Sequence, residues 1–498
     1  LGTLADLPEL IRREAWPEGH VPRSIHYMCG YLDGPARPPS PPDPTFPRAE
    51  DERVGHNVRA YVDHQLGRIF PAARRPGDPD GLAYDVLVDP AGGTGPARLA
   101  AQYWRANVEP TARYTIAAAG TNRHRMKSGD TGLENLVAAG DWTDNTIYVG
   151  SAEGATISGL DAAAALRARP DVPAPPPART RVAILGGGIG GLTTAWALTS
   201  TPELRAQYDI TVYTMGWRLG GKGASGRGPH GRIEEHGVHM FFGFYDNAFA
   251  VMRDLYPALR RPAGAPLASW QDAFREQPDV FVFQPYKGGL LPWHNVYPRR
   301  PGLPGEPHTS RSVWSAVKEL IDLGLARLES GALDLDRAPL AAEHAQLERP
   351  PWWPRLLGEL EQTITRAGAS LGLHLMRLLR ALVAGMPEDW LRHRAEQHHA
   401  LLHLVDRLLR WLWEAIGDRV DDHVEAYRIW VAFDWIAAVL RGLLRDGLLV
   451  PGGWRKVDDL DYRDWLRSHG ASERTLACPL VHSYYSAVLA GVDHPHVS

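Results

Sequence analysis

The chain has 498 residues and a net charge of −4, enough length for two or three units around at least one large core. No Lys/Arg stripe accompanies that small charge, which excludes the electrostatic footprint of a nucleic-acid binder. Two cysteines, Cys29 and Cys478, exclude a disulfide scaffold and neither has a second ligand at metal spacing, so a cytoplasmic setting and no metal site are expected.

The chain opens on Leu1 with no signal peptide, which reads as a fragment, a processed chain or an incomplete frame. Ser24–Leu32 and Asn135–Gly140 read as strands, and the second runs into Gly140-Asp141-Trp142. Ser151–Leu166 reads as a helix whose small residues Gly154, Ala155, Ser158, Gly159 and Ala162 recur at helical spacing and permit close approach of another backbone. Residues 169–180, with the run Arg169-Pro-Asp-Val-Pro-Ala-Pro-Pro-Pro-Ala178, read as an extended linker because proline fixes φ and removes donors.

Directly after it comes Arg181-Val-Ala-Ile-Leu-Gly-Gly-Gly-Ile-Gly-Gly-Leu192, a short apolar strand entering Gly186-x-Gly188-x-x-Gly191 and then a helix. This is a dinucleotide-binding turn: Gly186 for the tight turn, Gly188 for close approach of a pyrophosphate, Gly191 for close packing of helix on strand. The phosphates would sit at the positive N-terminus of that helix. Ile210–Tyr213 is the second strand of the βαβ unit, and Trp217-Arg218-Leu219-Gly220-Gly221-Lys222 follows it. Backbone N–H groups beside a fixed cation suit a second approach to the pyrophosphate. Glu234–Asn247 then brings acids, histidines and aromatics past the same place, and His236 and His239 are weighed as acid–base groups.

Val280–Phe283 with Lys287-Gly-Gly289 reads as a hairpin start. From about Ser312 the pattern is helical, with stripes at Val317, Leu320, Ile321, Leu325 and Leu328 and at Leu401, Leu404, Val405, Leu408 and Leu412. No uninterrupted apolar run reaches the roughly 20 residues that span a bilayer. Trp411, Trp413, Trp430 and Trp435 beside Arg407 and Arg410 read as core, with lipid contact or an apolar tunnel as the second reading. His398, His399 and His403 near Glu396 read as a polar helix face.

Four segments together, Gly186-Gly-Gly-Ile-Gly-Gly191, Arg218-Leu-Gly-Gly-Lys222, Glu235-His-Gly237 and Ala139-Gly-Asp-Trp142 with Glu153-Gly-Ala155, resemble the FAD-binding signatures of the flavin-dependent amine oxidase and phytoene desaturase superfamily. The resemblance implies an α/β fold with a doubly wound parallel sheet in the FAD-binding part and a mixed-sheet and helical substrate region. It implies cofactor contacts from Gly186, Gly188, Ile189, Gly190, Gly191, Thr214, Arg218, Leu219, Gly220, Gly221, Lys222, Glu235, His236, Gly237, Gly140, Asp141 and Glu153. It implies removal of a hydride from a small apolar substrate, polyene, isoprenoid or amine, with the electron acceptor open and with peripheral contact at the inner membrane face as an option. No dedicated catalytic side chain is required, because the flavin carries the chemistry.

Two features depart from the family pattern. Thr214 stands where an acid usually holds the adenosine ribose, and a neutral hydroxyl offers one weaker hydrogen bond. The order is also reversed: residues 1–168 resemble the family's C-terminal part, 181–300 its N-terminal FAD-binding part, and 301–498 an incomplete helical substrate region. Permutation, fusion of tandem homologues or a fragment each explain that order. The alternatives to the oxidoreductase are a non-catalytic or cofactor-free remnant and an NAD-dependent dehydrogenase.

Overall fold

The structure, a computed structural model, describes residues 3–30, 43–108, 112, 114–169, 179–287, 289–296, 302–306, 318, 321–322, 380, 395–450 and 452–482. They fall into two compact units, the first drawn from 1–117 and 124–307 and the second from 118–123 and 308–482. The segments expected to be tail-like and head-like therefore share one unit.

In the first unit Thr3–Asp6 (β1) pairs antiparallel with His26–Cys29 (β2), which falls within the expected strand Ser24–Leu32, of which residues 31–32 lie outside the described residues. Phe46–His64 (α1) carries a proline in its first turn, where a missing N–H costs nothing. With Leu66–Ile69 (α2) it covers the hairpin of Arg74–Arg75 (β3) and Asp78–Leu82 (β4), burying Val62, Leu66, Leu82, Tyr84 and Leu99 together.

Ala152–Arg167 (α3) is the expected small-residue helix, and its first turn is capped by Ser151, whose hydroxyl accepts from Gly154 N–H at 3.0 Å. Thr180–Leu185 (β5) turns into Ile189–Ala197 (α4), which begins at Ile189, directly on the glycine turn. Pro202–Gln207 (α5) then leads to Tyr208–Tyr213 (β6), parallel to β5 with Ile184 beside Val212. Ala163, Leu198 and Tyr208 form the core between α3 and this βαβ unit. The small face of α3 does what its spacing suggested. A Cβ on Gly159 would come within 2.5 Å of the Gly190 carbonyl oxygen, and Thr194 Oγ1 donates to the Gly159 carbonyl at 3.1 Å.

Two short strands, Gly226–Arg227 (β7) and Ile233–Glu234 (β8), close the loop after β6. Asp246–Ala258 (α6) and Trp270–Ala273 (α7) pack Tyr245, Phe249, Trp270 and Phe274 into an aromatic cluster. Asp279–Tyr286 (β9) and Gly289–Val296 (β10) form the expected hairpin.

The sheet differs from the expectation. Among the described residues the parallel ladder is β5–β6, in an α/β arrangement of helices and small two-stranded sheets, without a doubly wound sheet. Asn135–Gly140 is not in a ladder, because its donors are taken elsewhere: Ala138 N–H by the Ser128 carbonyl at 2.9 Å and Gly140 N–H by Ser158 Oγ at 3.0 Å. Alternation identifies extended backbone, not its partner. The linker residues 170–178 lie outside the described residues.

The second unit is helical, with Ala395–Ile416 (α8), Val424–Arg445 (α9), Tyr462–Ser468 (α10) and Glu473–Leu476 (α11). Ile416, Ile429, Leu440, Leu448, Leu466 and Leu476 are fully buried. Of the two expected stripes, Ile321, Val405 and Leu412 are buried. The side chains of Leu401, Leu404, Leu408, Trp411, Glu396, His398 and His399, and all of Val317, Leu320, Leu325 and Leu328, lie outside what is described. Trp435 is buried, with its indole N–H donating to Tyr462 Oη at 2.9 Å, which makes it core and not lipid-facing. No helix of the described residues is long and apolar enough to cross a membrane.

Candidate functional site

The site grows from the turn between β5 and α4. Gly186 has φ +115°, a left-handed conformation that only glycine holds without strain, and its N–H donates to the Tyr213 carbonyl at 2.8 Å, so β6 and the turn are tied at their ends. A Cβ on Gly191 would sit 2.7 Å from the Gly186 carbonyl oxygen and 2.9 Å from Ile184 Cγ2, which is why the helix can lie on its strand. A Cβ on Gly188 would meet nothing within 4 Å. That open side lies at the N-terminus of α4, where unpaired N–H groups and the helix dipole attract an anion.

The loop Arg218–Lys222 returns to the same turn. Gly220 N–H donates to the Gly187 carbonyl at 2.7 Å, and Gly188 and Gly220 form an isolated parallel bridge that ties the loop to the turn. Gly220 (φ +110°) and Gly221 (φ +58°) supply the backbone shape, and a Cβ on Gly221 would press on Gly188 Cα at 3.0 Å. Leu219 lies over Gly187, and Ile189 lies against Gly223. Arg218 stacks beside Trp217, yet its Nη1 is buried with no hydrogen-bond partner. A buried guanidinium nitrogen left open in this way is suited to an anionic ligand.

Lys222 carries the loop to the Gly140 turn. Its Nζ lies 3.4 Å from Asp141 Oδ2, across a sequence separation of 81, and 5.6 Å from the centre of the Tyr114 ring. Asp141 is held in place on all sides: Thr115 Oγ1 donates to Oδ1 at 2.9 Å, and Arg125 Nη1 and Asn145 Nδ2 donate to its carbonyl at 2.9 and 3.0 Å. Behind it, Ser158 Oγ joins Gly140 N–H and Thr143 Oγ1 in a buried network. Gly190 touches this turn directly, since a Cβ there would meet Gly140 N at 2.9 Å.

Glu235, His236 and Gly237 lie on the segment after β8. His239 Nδ1 lies 3.2 Å from Glu235 Oε2 and its Nε2 lies 2.9 Å from the Lys222 carbonyl oxygen. Burial raises the Glu235 carboxyl, but hydrogen bonds from His239 and Ser225 and the His239 charge outweigh it and hold it below the usual range. Burial lowers His239, but Glu235 outweighs it and raises the imidazole above its ordinary value. His236 is pushed down by burial and by the charges of His239 and Lys222, which outweigh the opposite pull of the Lys222 backbone and Glu235. Its ring lies 5.6 Å from that of Tyr114, and a Cβ on Gly237 would come within 3.1 Å of the Tyr114 hydroxyl.

Glu153 and Thr214, two further expected contacts, have hydrogen-bond partners within the protein. Glu153 is buried and serves the start of α6: Oε1 accepts from Asn247 N–H at 3.0 Å and Nδ2 at 2.8 Å, and Oε2 accepts from Ala248 N–H at 2.8 Å. A carboxylate at a helix N-terminus satisfies otherwise unpaired donors. Thr214 is exposed, and its hydroxyl accepts from Gly216 N–H at 3.4 Å. Thr115, Tyr114 and Ser225 help to build the site and carry no motif that the sequence reading used, and Ser158, read there only as a small residue of the helix face, contributes its hydroxyl. Among the described residues no group of three or more His, Cys, Asp or Glu is placed to hold a metal ion.

The family model for flavin-containing amine oxidoreductases matches residues 12–167, and the model for an NAD(P)-binding Rossmann-like domain matches 184–255. Zeta-carotene desaturases from Capsicum annuum and Arabidopsis thaliana are each 35% identical over 75 residues, and that from Solanum lycopersicum is 33% identical over 75 residues. Each alignment covers 15% of this chain and spans 12% of the length of the relative. No solved structure matches the chain.

Proposed function

We propose, from the premise that this chain belongs to the FAD-dependent amine oxidoreductase and carotenoid desaturase superfamily, that it removes a hydride from an apolar substrate. The cofactor is FAD, which when bound supplies the hydride acceptor. The observation that carries the reading is the meeting of two distant segments: the Arg218–Lys222 loop pairs with Gly188 on one side and faces Asp141 on the other.

The residues present fit that cofactor. The open side of Gly188, the N-terminus of α4 and the unpartnered Arg218 Nη1 would hold the pyrophosphate, with Leu219, Gly220 and Gly221 shaping the wall opposite. Lys222 would add positive charge there, oriented by Asp141. Gly140 and the N-terminus of α3 would approach the other end of the cofactor, and Glu235, His236 and Gly237 would line the passage between. Glu153 would act one step back, by fixing α6. Exposed Thr214 would give the adenosine ribose one neutral hydrogen bond.

The same reading orders the chain as residues 1–168 resembling the family's C-terminal part, a linker at 169–180, an FAD-binding part at 181–300, and 301–498 as substrate region. A strand set larger than the two-stranded β5–β6 ladder would complete the doubly wound sheet. Exposed Met240, Phe242 and Phe244, alternating on one segment, favour an apolar substrate. The test is to purify the full chain, add FAD, remove the excess and record the absorbance. Retained flavin bands that bleach with an apolar polyene or amine support the reading, and a protein that holds no flavin overturns it.

A further inference from the structure

His239 stands behind the Gly220–Lys222 loop and not within the cradle. Its two ring nitrogens face two acceptors, the Glu235 carboxylate and the Lys222 carbonyl oxygen, at 3.2 and 2.9 Å. A carbonyl accepts only, and so does an ionised carboxylate, so both nitrogens must carry hydrogen for both contacts to form. The ring that makes this bridge is an imidazolium.

The segment it grips has little stiffness of its own. Gly220, Gly221 and Gly223 surround Lys222, and two of them have positive φ. From outside, the backbone of the loop is pinned through the Gly187 carbonyl at one end and through His239 at the other, while the Lys222 side chain reaches Asp141. Around His239 stand Glu235 and His236 on its own segment and Lys222 and Arg218 on the loop, and the ring centres of His236 and His239 are 6.0 Å apart. Glu235 and the Lys222 carbonyl favour the charge, Arg218 opposes it, and the Glu235 carboxylate is itself bound by Ser225 on its other oxygen.

We propose that His239 is a positioning residue: while protonated it bridges Glu235 to the Lys222 carbonyl and keeps the Gly220–Lys222 loop in the shape that receives FAD. The proposal rests on the cofactor reading above. It makes cofactor affinity depend on pH through the order of the loop, because a site that is correctly shaped only part of the time binds more weakly by that fraction. The direction follows from the imidazole being held above 6.5: the clasp is complete below that pH and is lost as pH rises through the higher, folded value.

The test uses the full chain and FAD, with dissociation constants from fluorescence titration between about pH 6 and pH 9. The wild type is expected to weaken about tenfold as pH rises, and Glu235→Gln to begin weakening at lower pH. His239→Gln, whose amide can still donate to the Lys222 carbonyl, is expected to bind with no pH dependence in this window, at an affinity between the wild-type extremes. Thermal melting of the FAD-free variants confirms that each is folded. A flat wild-type profile, or a His239→Gln profile with the wild-type slope, overturns the proposal while leaving FAD binding intact. A wild type that takes up no FAD at the acid end overturns the cofactor reading and this proposal with it, and that result cannot be confused with a flat profile.

Discussion

At the centre of the helical unit stand large side chains, Ile416, Ile429, Leu440 and Leu466, whereas at the centre of the Gly186–Gly191 turn stand glycines, hydroxyls and charges. The first region is filled by its own residues. The second has backbone packed so closely that a Cβ would collide at Gly190 and Gly191, beside an open side at Gly188 and a buried, unpartnered Arg218 Nη1. Apolar packing stabilises whatever it encloses, but tight glycine contacts around unsatisfied donors shape a place for something else. The difference separates the part of the chain that carries stability from the part where the proposed cofactor would sit.

The strongest challenge to that contrast is Gly191→Val. Its side chain would drive into the Gly186 carbonyl and Ile184, and FAD retention after gel filtration should be lost altogether. Next comes Leu440→Ala in α9, where a fully buried side chain is removed. Urea unfolding of the second unit should lose about 2–5 kcal/mol while FAD affinity stays unchanged. A coupled loss of affinity would break the division between the two regions.

Glu153→Gln sharpens the boundary between them. It keeps the shape but replaces a carboxylate that accepts three hydrogen bonds, and should cost roughly 1–3 kcal/mol in denaturant unfolding with little effect on FAD affinity. A large loss of affinity at unchanged stability would return Glu153 to the cofactor. The smallest effect is at Lys222→Met, which leaves Asp141 without its cation beside the cradle and should weaken FAD about tenfold, or about 1.4 kcal/mol.

The sequence made the turn legible because glycine spacing reports backbone geometry: Gly186 makes the turn and Gly191 lets helix lie on strand, as their spacing implies, and Gly188 has open space beside it. The Arg218–Lys222 loop was legible for the same reason. What the sequence hid was partnership at long range. The motif around Glu153 says nothing of its partner in the fold, the start of a helix that begins 93 residues later at Asp246. Asn135–Gly140 reads as a strand, yet a serine hydroxyl from α3 takes the Gly140 N–H. His236 and His239 were weighed as acid–base groups, but the pairing of His239 with Glu235 and with the Lys222 carbonyl, which has no side-chain signature at all, was not legible.

The central claim is that the Gly140 turn and the Arg218–Lys222 loop serve one cofactor site. A double-mutant cycle in FAD affinity, built from Asp141→Asn and Lys222→Met, tests it most directly. If the two segments serve one site, Lys222→Met should cost about tenfold in the wild-type background and at least about threefold less beside Asp141→Asn, because no unpaired carboxylate then faces the cofactor. Equal costs in both backgrounds would contradict the account.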